Sequence, residues 1–216
     1  MVYAICKLNA GLDELAANRR WFWDRRQNQA GSRAIIRDLH MADSDDFAAL
    51  PDILAPGLSV VFCGINPGVD AAACGHHFLG RGNRFWPVLY EAGFTPRLLA
   101  PQQDRSVLAY GIGLTTAVAR PTRRAAQLGQ QEFAASAAAL WHKLDLYRPQ
   151  CIAFLGKAAY LGITGQRDAA WGEQPQRLAQ ARVWLLPNPS GLNRAFSKQQ
   201  LVLAYSALNR TLWPRR

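Results

Sequence analysis

The sequence is short of acidic residues. Fifteen Asp and Glu stand against 25 Lys and Arg, giving a net charge of +10. A chain with this balance commonly meets a polyanion, either nucleic acid or an anionic membrane surface, and a generally basic solvated surface is the plainer alternative. Cysteine is scarce too. Cys6, Cys63, Cys74 and Cys151 form no C-x-x-C pair, and their spacing fits no zinc or iron–sulfur pattern. Cys63 and Cys151 lie in apolar runs and read as small buried hydrophobes. This usage fits a reduced compartment, and a cytoplasmic location is expected. No apolar run reaches the length of a membrane-spanning helix, so no membrane association is expected. The N-terminus shows no apolar core with a cleavage site, so no secretory signal is expected. Neither G-x-G-x-x-G nor G-x-x-x-x-G-K-[ST] occurs, which weighs against a nucleotide-binding enzyme. Internal repeats are absent.

What is present suffices for a sizeable core, since 50% of the 216 residues are hydrophobic. The length suits one globular domain plus an appendage. Residues 1–50 differ from the remainder: Arg19, Arg20, Arg25, Arg26, Arg33 and Arg37 interleave with Trp21, Phe22 and Trp23. Residues 12–25 are compatible with one amphipathic helix. The segment reads either as a basic, aromatic DNA-contacting arm or as a disordered or non-native extension, with Met41 as the true start. Residues 51–216 are expected to form the folded domain.

From Leu58 onward strands alternate with helices. Leu58–Cys63, Leu108–Thr115, Cys151–Leu155 and Arg182–Leu186 read as strands. Asn83–Ala92, Gln130–Tyr147 and Ser197–Leu212 read as helices, and another begins in Gly156–Leu161. Phe133, Leu140, Trp141 and Leu144 are expected on one face of the longest, which Pro149 stops. Pro96–Pro101 reads as a turn or short helical piece. The expected fold is α/β: a single three-layer domain with a mostly parallel four-stranded sheet between helices.

Ligands of open α/β sheets sit beyond the carboxyl ends of the strands. Two unusual loops fall there, G-I-N-P-G at 64–68 and N-P-S-G-L-N-R at 188–194. Each carries Gly for a sharp turn or close approach and Pro for stiffness. Asn66 is the one polar side chain of the first. A neutral amide is no base near pH 7, but its carbonyl can accept from a water and hold it in place. That suffices where the electrophile is made reactive by departure of its leaving group, as in cleavage of a nucleoside's glycosidic bond. Backbone N–H groups of the loops would then stabilise the departing base anion.

Residues 53–212 resemble the mismatch-specific uracil-DNA glycosylase and thymine-DNA glycosylase family. The resemblance rests on I-L-A-P-G-L at 53–58, G-I-N-P-G at 64–68, N-R-F-W at 83–86, L-G-K-A-A-Y at 155–160 and N-P-S-G-L-N-R at 188–194. G-H-H-F at 75–78 and G-x-G-N at 80–83 are more similar to the thymine branch, the second loop to the bacterial uracil branch. The resemblance implies a monofunctional, cofactor-free DNA glycosylase acting on double-stranded DNA with G:U or G:T mispairs. Uracil, and with it thymine or ethenocytosine, would be the base removed, leaving an abasic site; with no strong base at Asn66, slow turnover is expected. Asn66 would position the water. Ile65 and Phe78 would line the base pocket, Phe78 stacking on the flipped base. Leu192 would fill the hole left in the duplex, and Gly191, Asn193 and Arg194 would contact the opposite strand.

Asp70, four residues after Asn66, is atypical of the family; it reads as a second catalytic candidate, as a cap for the next helix, or as a solvated carboxylate. Ala71 leaves room beside the pocket for a 5-substituent. Asn193 stands where the family often has a small polar residue. His76 and His77 lack further ligands at metal spacing, so no metal is expected; they read as shaping their loop or contacting phosphate. Arg81, Arg84, Arg120, Arg123 and Arg124 are candidates for tracking the DNA backbone. Lys157 reads as structural, so lyase chemistry is not expected. A monomer is the expected state, and a non-catalytic mismatch-binding module is the competing reading.

Overall fold

The structure, a computed structural model, describes residues 49–214. The expectations for the basic arm and the helix at 12–25 lie outside the described residues. In chain order the elements are β1 (Val60–Gly64), α1 (Val69–Cys74), α2 (Phe85–Glu91), a 3-10 segment (Pro101–Tyr110), β2 (Ile112–Thr116), a short 3-10 turn (Ala125–Gln127), α3 (Gln130–Tyr147), β3 (Cys151–Leu155), α4 (Lys157–Thr164), β4 (Gly172–Leu178), β5 (Ala181–Leu186) and α5 (Lys198–Leu212).

The five strands form one sheet in the order β2-β1-β3-β5-β4. β1 runs parallel to β2 and β3, and β3 parallel to β5. The sheet therefore has one more strand than expected. β4 pairs antiparallel with β5 and is irregular between Gln174 and Arg177. Its sequence, GEQPQRL, is polar and carries Pro175, so neither an apolar run nor high β-propensity marks it. At an edge, only alternate side chains need burial, and here Gln174 and Leu178 are the buried ones.

Alternation along the strands builds two cores. Val60, Phe62, Ala153, Leu155, Trp184 and Leu186 face one side, against Phe85, Trp86, Leu89, Leu201, Tyr205 and Leu208 of α2 and α5. Cys63, Ile152, Phe154, Val183 and Leu185 face the other, against Phe133, Leu140, Leu144, Tyr160 and Ile163 of α3 and α4. The three layers follow. A Cβ on Gly162 would lie 2.5 Å from Cγ of Phe133, so glycine is what lets α4 settle on α3. Trp141 departs from its expected face and is 46% exposed.

Boundaries shifted where backbone chemistry intervened. β2 begins at Ile112 because a 3-10 segment runs to Tyr110 and Gly111 turns the chain at φ +71°. α1 had no expectation of its own. α5 begins after Ser197, whose Oγ accepts from Gln200 N–H at 3.2 Å while Gln200 Oε1 accepts from Ser197 N–H at 2.8 Å. The outer edge of β2 is met by Ile53, which exchanges two 2.9 Å backbone hydrogen bonds with Leu114.

Candidate active site

β1, β3 and β5 end side by side on one sheet edge, and the loops after β1 and β5 open onto a common cleft of about 570 Å³. Ile65, Asn66, Asp70, Ala71, Phe78, Gly191 and Leu192 all line it. Asn193 and Arg194 do not.

The first loop is pinned to the segment after β2. Ala117 N–H donates to Gly64 O at 2.9 Å, Val118 N–H to Ile65 O at 3.0 Å and Thr122 N–H to Pro67 O at 3.1 Å. That segment orients Asn66. Asn66 Nδ2 donates to Thr122 Oγ1 at 2.7 Å, Arg120 O at 2.9 Å and Pro67 O at 3.2 Å. Two of these partners are carbonyls and can only accept. The Thr122 hydroxyl proton is directed to Arg124 O at 3.0 Å. The amide orientation is thereby forced, and among the described residues Oδ1 takes no hydrogen bond. The Arg120 side chain is itself held by Glu132, at 2.7 and 2.9 Å, and by Gln127 O at 3.1 Å. The Arg120 guanidinium, with the Gly129 N–H, holds the Glu132 carboxyl down to about 2. Arg120 thus braces the loop and is not available as a free phosphate contact.

Phe78 comes from the loop after α1. It has φ +55°, a conformation costly for an aromatic residue. Its ring stacks on Phe85, with centroids 3.8 Å apart and planes at 21°. The preceding residue holds it there. His77 is 2% exposed; its N–H donates to Asp104 Oδ2 at 2.9 Å, and Nε2 lies 2.9 Å from Pro51 O, which only accepts. Nε2 therefore carries the proton. Trp86 Nε1 donates to His77 O at 3.2 Å. Burial pushes the imidazole below its ordinary pKa. His77 shapes the loop and, buried, does not reach phosphate. His76 Nδ1 lies 3.6 Å from Asp104 Oδ2.

Asp70 is exposed in the first turn of α1 and its carboxylate has no partner among the described residues. It is not the cap: that position is Gly68, and no side chain caps this helix. Ala71 is buried in the cleft wall.

In the second loop Ser190 N–H donates to Asn188 Oδ1 at 2.8 Å, and Ser190 Oγ accepts from Leu192 N–H at 3.2 Å. Leu192 stands 73% exposed at the tip. Asn193 is spent on the loop itself: Nδ2 donates to Asn188 O at 2.8 Å and Oδ1 accepts from Ala195 N–H at 3.2 Å. A Cβ on Gly191 would lie 2.6 Å from Gly82 O, so this loop touches the segment leading into α2 backbone to backbone. Arg84, expected on the DNA-tracking surface, instead points its guanidinium into this loop. Arg81, Arg123 and Arg124 remain exposed on the cleft rim. Lys157 pairs with Asp168 at 3.0 Å and lies 5.4 Å from the Trp171 ring centroid.

Sequence reading missed Thr122 and Asn188. Asn188 lines the cleft with Oδ1 fixed by Ser190, leaving Nδ2 without a partner among the described residues. Asn188 stands beside Gly156, where an added Cβ would lie 3.4 Å from its own; Thr122 depended on β2 lying next to β1, which no local pattern reveals. Among the described residues no group of three or more His, Cys, Asp or Glu is placed to hold a metal ion, and no helix is long and apolar enough to cross a membrane.

The family model of the uracil DNA glycosylase superfamily matches residues 51–211. The fold is similar to the solution NMR structure of a candidate uracil DNA glycosylase from Methanosarcina acetivorans, with a TM-score of 0.52 and 21% identity over 77% of this chain and 98% of that one. The chain belongs to the uracil DNA glycosylase superfamily and is a DNA glycosylase, a hydrolase of N-glycosyl bonds.

Proposed function

We propose that the protein removes uracil paired with guanine in duplex DNA, by rotating the nucleotide into the cleft and attacking C1′ with a water held by Asn66. The observation that carries this reading is the forced orientation of Asn66: its Nδ2 is committed to Thr122, Arg120 and Pro67, and Oδ1 is left to accept from a water. Leu192 enters the stack as the base leaves it. Phe78, braced by Phe85, stacks on the extruded base. The C1′–N1 bond breaks with its electron pair moving to the base. Asn188 Nδ2 and loop N–H groups donate to the base as this charge develops. The water oxygen bonds to C1′, and its proton leaves to solvent or to the departing base. The sugar's oxocarbenium character makes a neutral water-holder sufficient, and turnover is accordingly slow. Lys157, engaged by Asp168 and Trp171, forms no Schiff base, so the product is an intact abasic site. Ala71 gives the pocket room for a 5-methyl group, extending the substrate to thymine opposite guanine.

The test is incubation, at enzyme excess, of duplexes holding G·U, G·T or A·U, followed by alkaline cleavage. Strand breaks at G·U that vanish in Asn66→Ala support the reading. Absence of breaks at G·U with the wild type refutes it.

A further inference from the structure

We infer that Arg84 is a positioning residue for base eversion: it holds the loop carrying Leu192 in its projecting shape and ties that loop to the base-stacking platform. The inference rests on the uracil-excision reading above. Arg84 Nη1 donates to Phe196 O at 2.7 Å, Nη2 to Asn193 O at 2.8 Å and Ser190 O at 2.9 Å, and Nε to Pro189 O at 3.3 Å. Its backbone N–H donates to Pro189 O at 3.0 Å. One guanidinium thus meets carbonyls on both sides of Leu192, and among the described residues no carboxylate competes for it. A planar fork of five N–H donors can do this; an ammonium on a flexible stem cannot reproduce the spread.

The next residue, Phe85, carries the ring on which Phe78 stacks. Gly82, two residues earlier, is the backbone against which Gly191 rests. The N-terminus of α2 therefore anchors both the side chain that enters the duplex and the one that receives the base. Pushing Leu192 into stacked DNA loads the loop, and the carbonyls Arg84 holds are those that would move. A loop free to fold back would leave the bound duplex closed.

The experiment compares Arg84→Met and Arg84→Lys, each alone and combined with Leu192→Ala. Single-turnover uracil release is measured on a G·U duplex and on a uracil single strand, where no stack has to be opened. Eversion is followed by fluorescence of a 2-aminopurine beside the uracil, and binding by its salt dependence. Arg84→Met is expected to slow the duplex reaction about 30- to 100-fold and to suppress the fluorescence rise. The single-strand rate should stay within about threefold, and the salt slope should not change. With Leu192→Ala already present, adding Arg84→Met should cost less than about threefold, since the two act as one unit. Arg84→Lys should resemble Arg84→Met, which keeps the test open if the latter folds poorly. Equal losses on both substrates, full activity in Arg84→Lys, or a salt slope lowered by about one unit, the mark of a phosphate contact, would each overturn the inference. Wild-type protein that releases uracil from neither substrate removes instead the excision reading on which it rests.

Discussion

Replacing Asn66 by Asp supplies a stronger base at the water's expected position, and simple chemistry favours a faster enzyme. The geometry argues the reverse. All three oxygens facing Nδ2 act as acceptors toward it: two are carbonyls, and the Thr122 hydroxyl already donates its hydrogen to Arg124 O. Exchanging NH2 for an anionic oxygen removes two good donated bonds, worth about 1 kcal/mol each, and sets negative charge against the carbonyls of Arg120 and Pro67. The protonated acid keeps one donated bond. A preference of roughly 2–3 kcal/mol for the neutral form corresponds to about 1.5–2 pKa units. The introduced carboxyl therefore titrates near pH 5.5–6 in the native state, by this rough estimate, against about 3.9 unfolded. With the folded value raised, the native state binds more protons across that window. The variant's stability relative to wild type is thus highest at low pH, declines between roughly pH 4 and 6, and is flat above. Urea unfolding of both proteins at pH 5.0 and 7.5 reads this directly, with the variant's deficit larger at 7.5 by about 1 kcal/mol. Single-turnover release from G·U at pH 7.5 should fall about 10- to 100-fold, since the repelled side chain rotates and displaces the water. A variant as fast as wild type with equal unfolding midpoints at both pH values would refute the argument that Thr122 and Arg120 fix the amide.

Three further outcomes are expected. Gly191→Ala forces a Cβ to within 2.6 Å of Gly82 O; release from a G·U duplex should drop about 10-fold or more, with single-strand release little changed when the two are timed side by side. Asp70→Asn should cost less than about threefold at pH 7.5, because nothing aims this exposed carboxylate at the water; a loss as large as that of Asn66→Ala would make Asp70 the activating group. His77 has a folded-state pKa lowered by burial. Its contribution is fully present above the unfolded value near 6.5 and is lost as pH falls below it, by up to about 1.4 kcal/mol per pH unit. Comparing urea midpoints of wild type and His77→Gln between pH 7.5 and 5.5 should show a smaller acid loss in the variant.

Much of the architecture was legible because buried parallel strands leave continuous apolar runs. V-V-F-C and C-I-A-F-L could hardly be exposed, and the Gly/Pro loops that follow such strands announce the functional edge. β4 left no such trace: a polar edge strand with a proline looks like a loop until β5 is there to pair with it. Asn66 and Leu192 stood out because each is out of character with its surroundings, one amide in an apolar turn and one leucine in a polar one. Arg84 was misplaced for the opposite reason. A guanidinium recognises phosphate oxygens and backbone carbonyls by the same fork of donors, and only the folded loop shows which are within reach. Thr122 belongs to a third kind: a common residue made important by a neighbour 56 positions away.

The two margins of the sheet carry a consequence beyond the active site. On one side Ile53 occupies the hydrogen-bonding groups of β2 at Leu114. On the other, β4 offers an interrupted row: Pro175 has no N–H to give, and the register slips between Gln174 and Arg177. Among the described residues neither margin presents the long, flat ladder on which a foreign strand could template itself. Edge-to-edge pairing of two copies through the described sheet is thereby disfavoured.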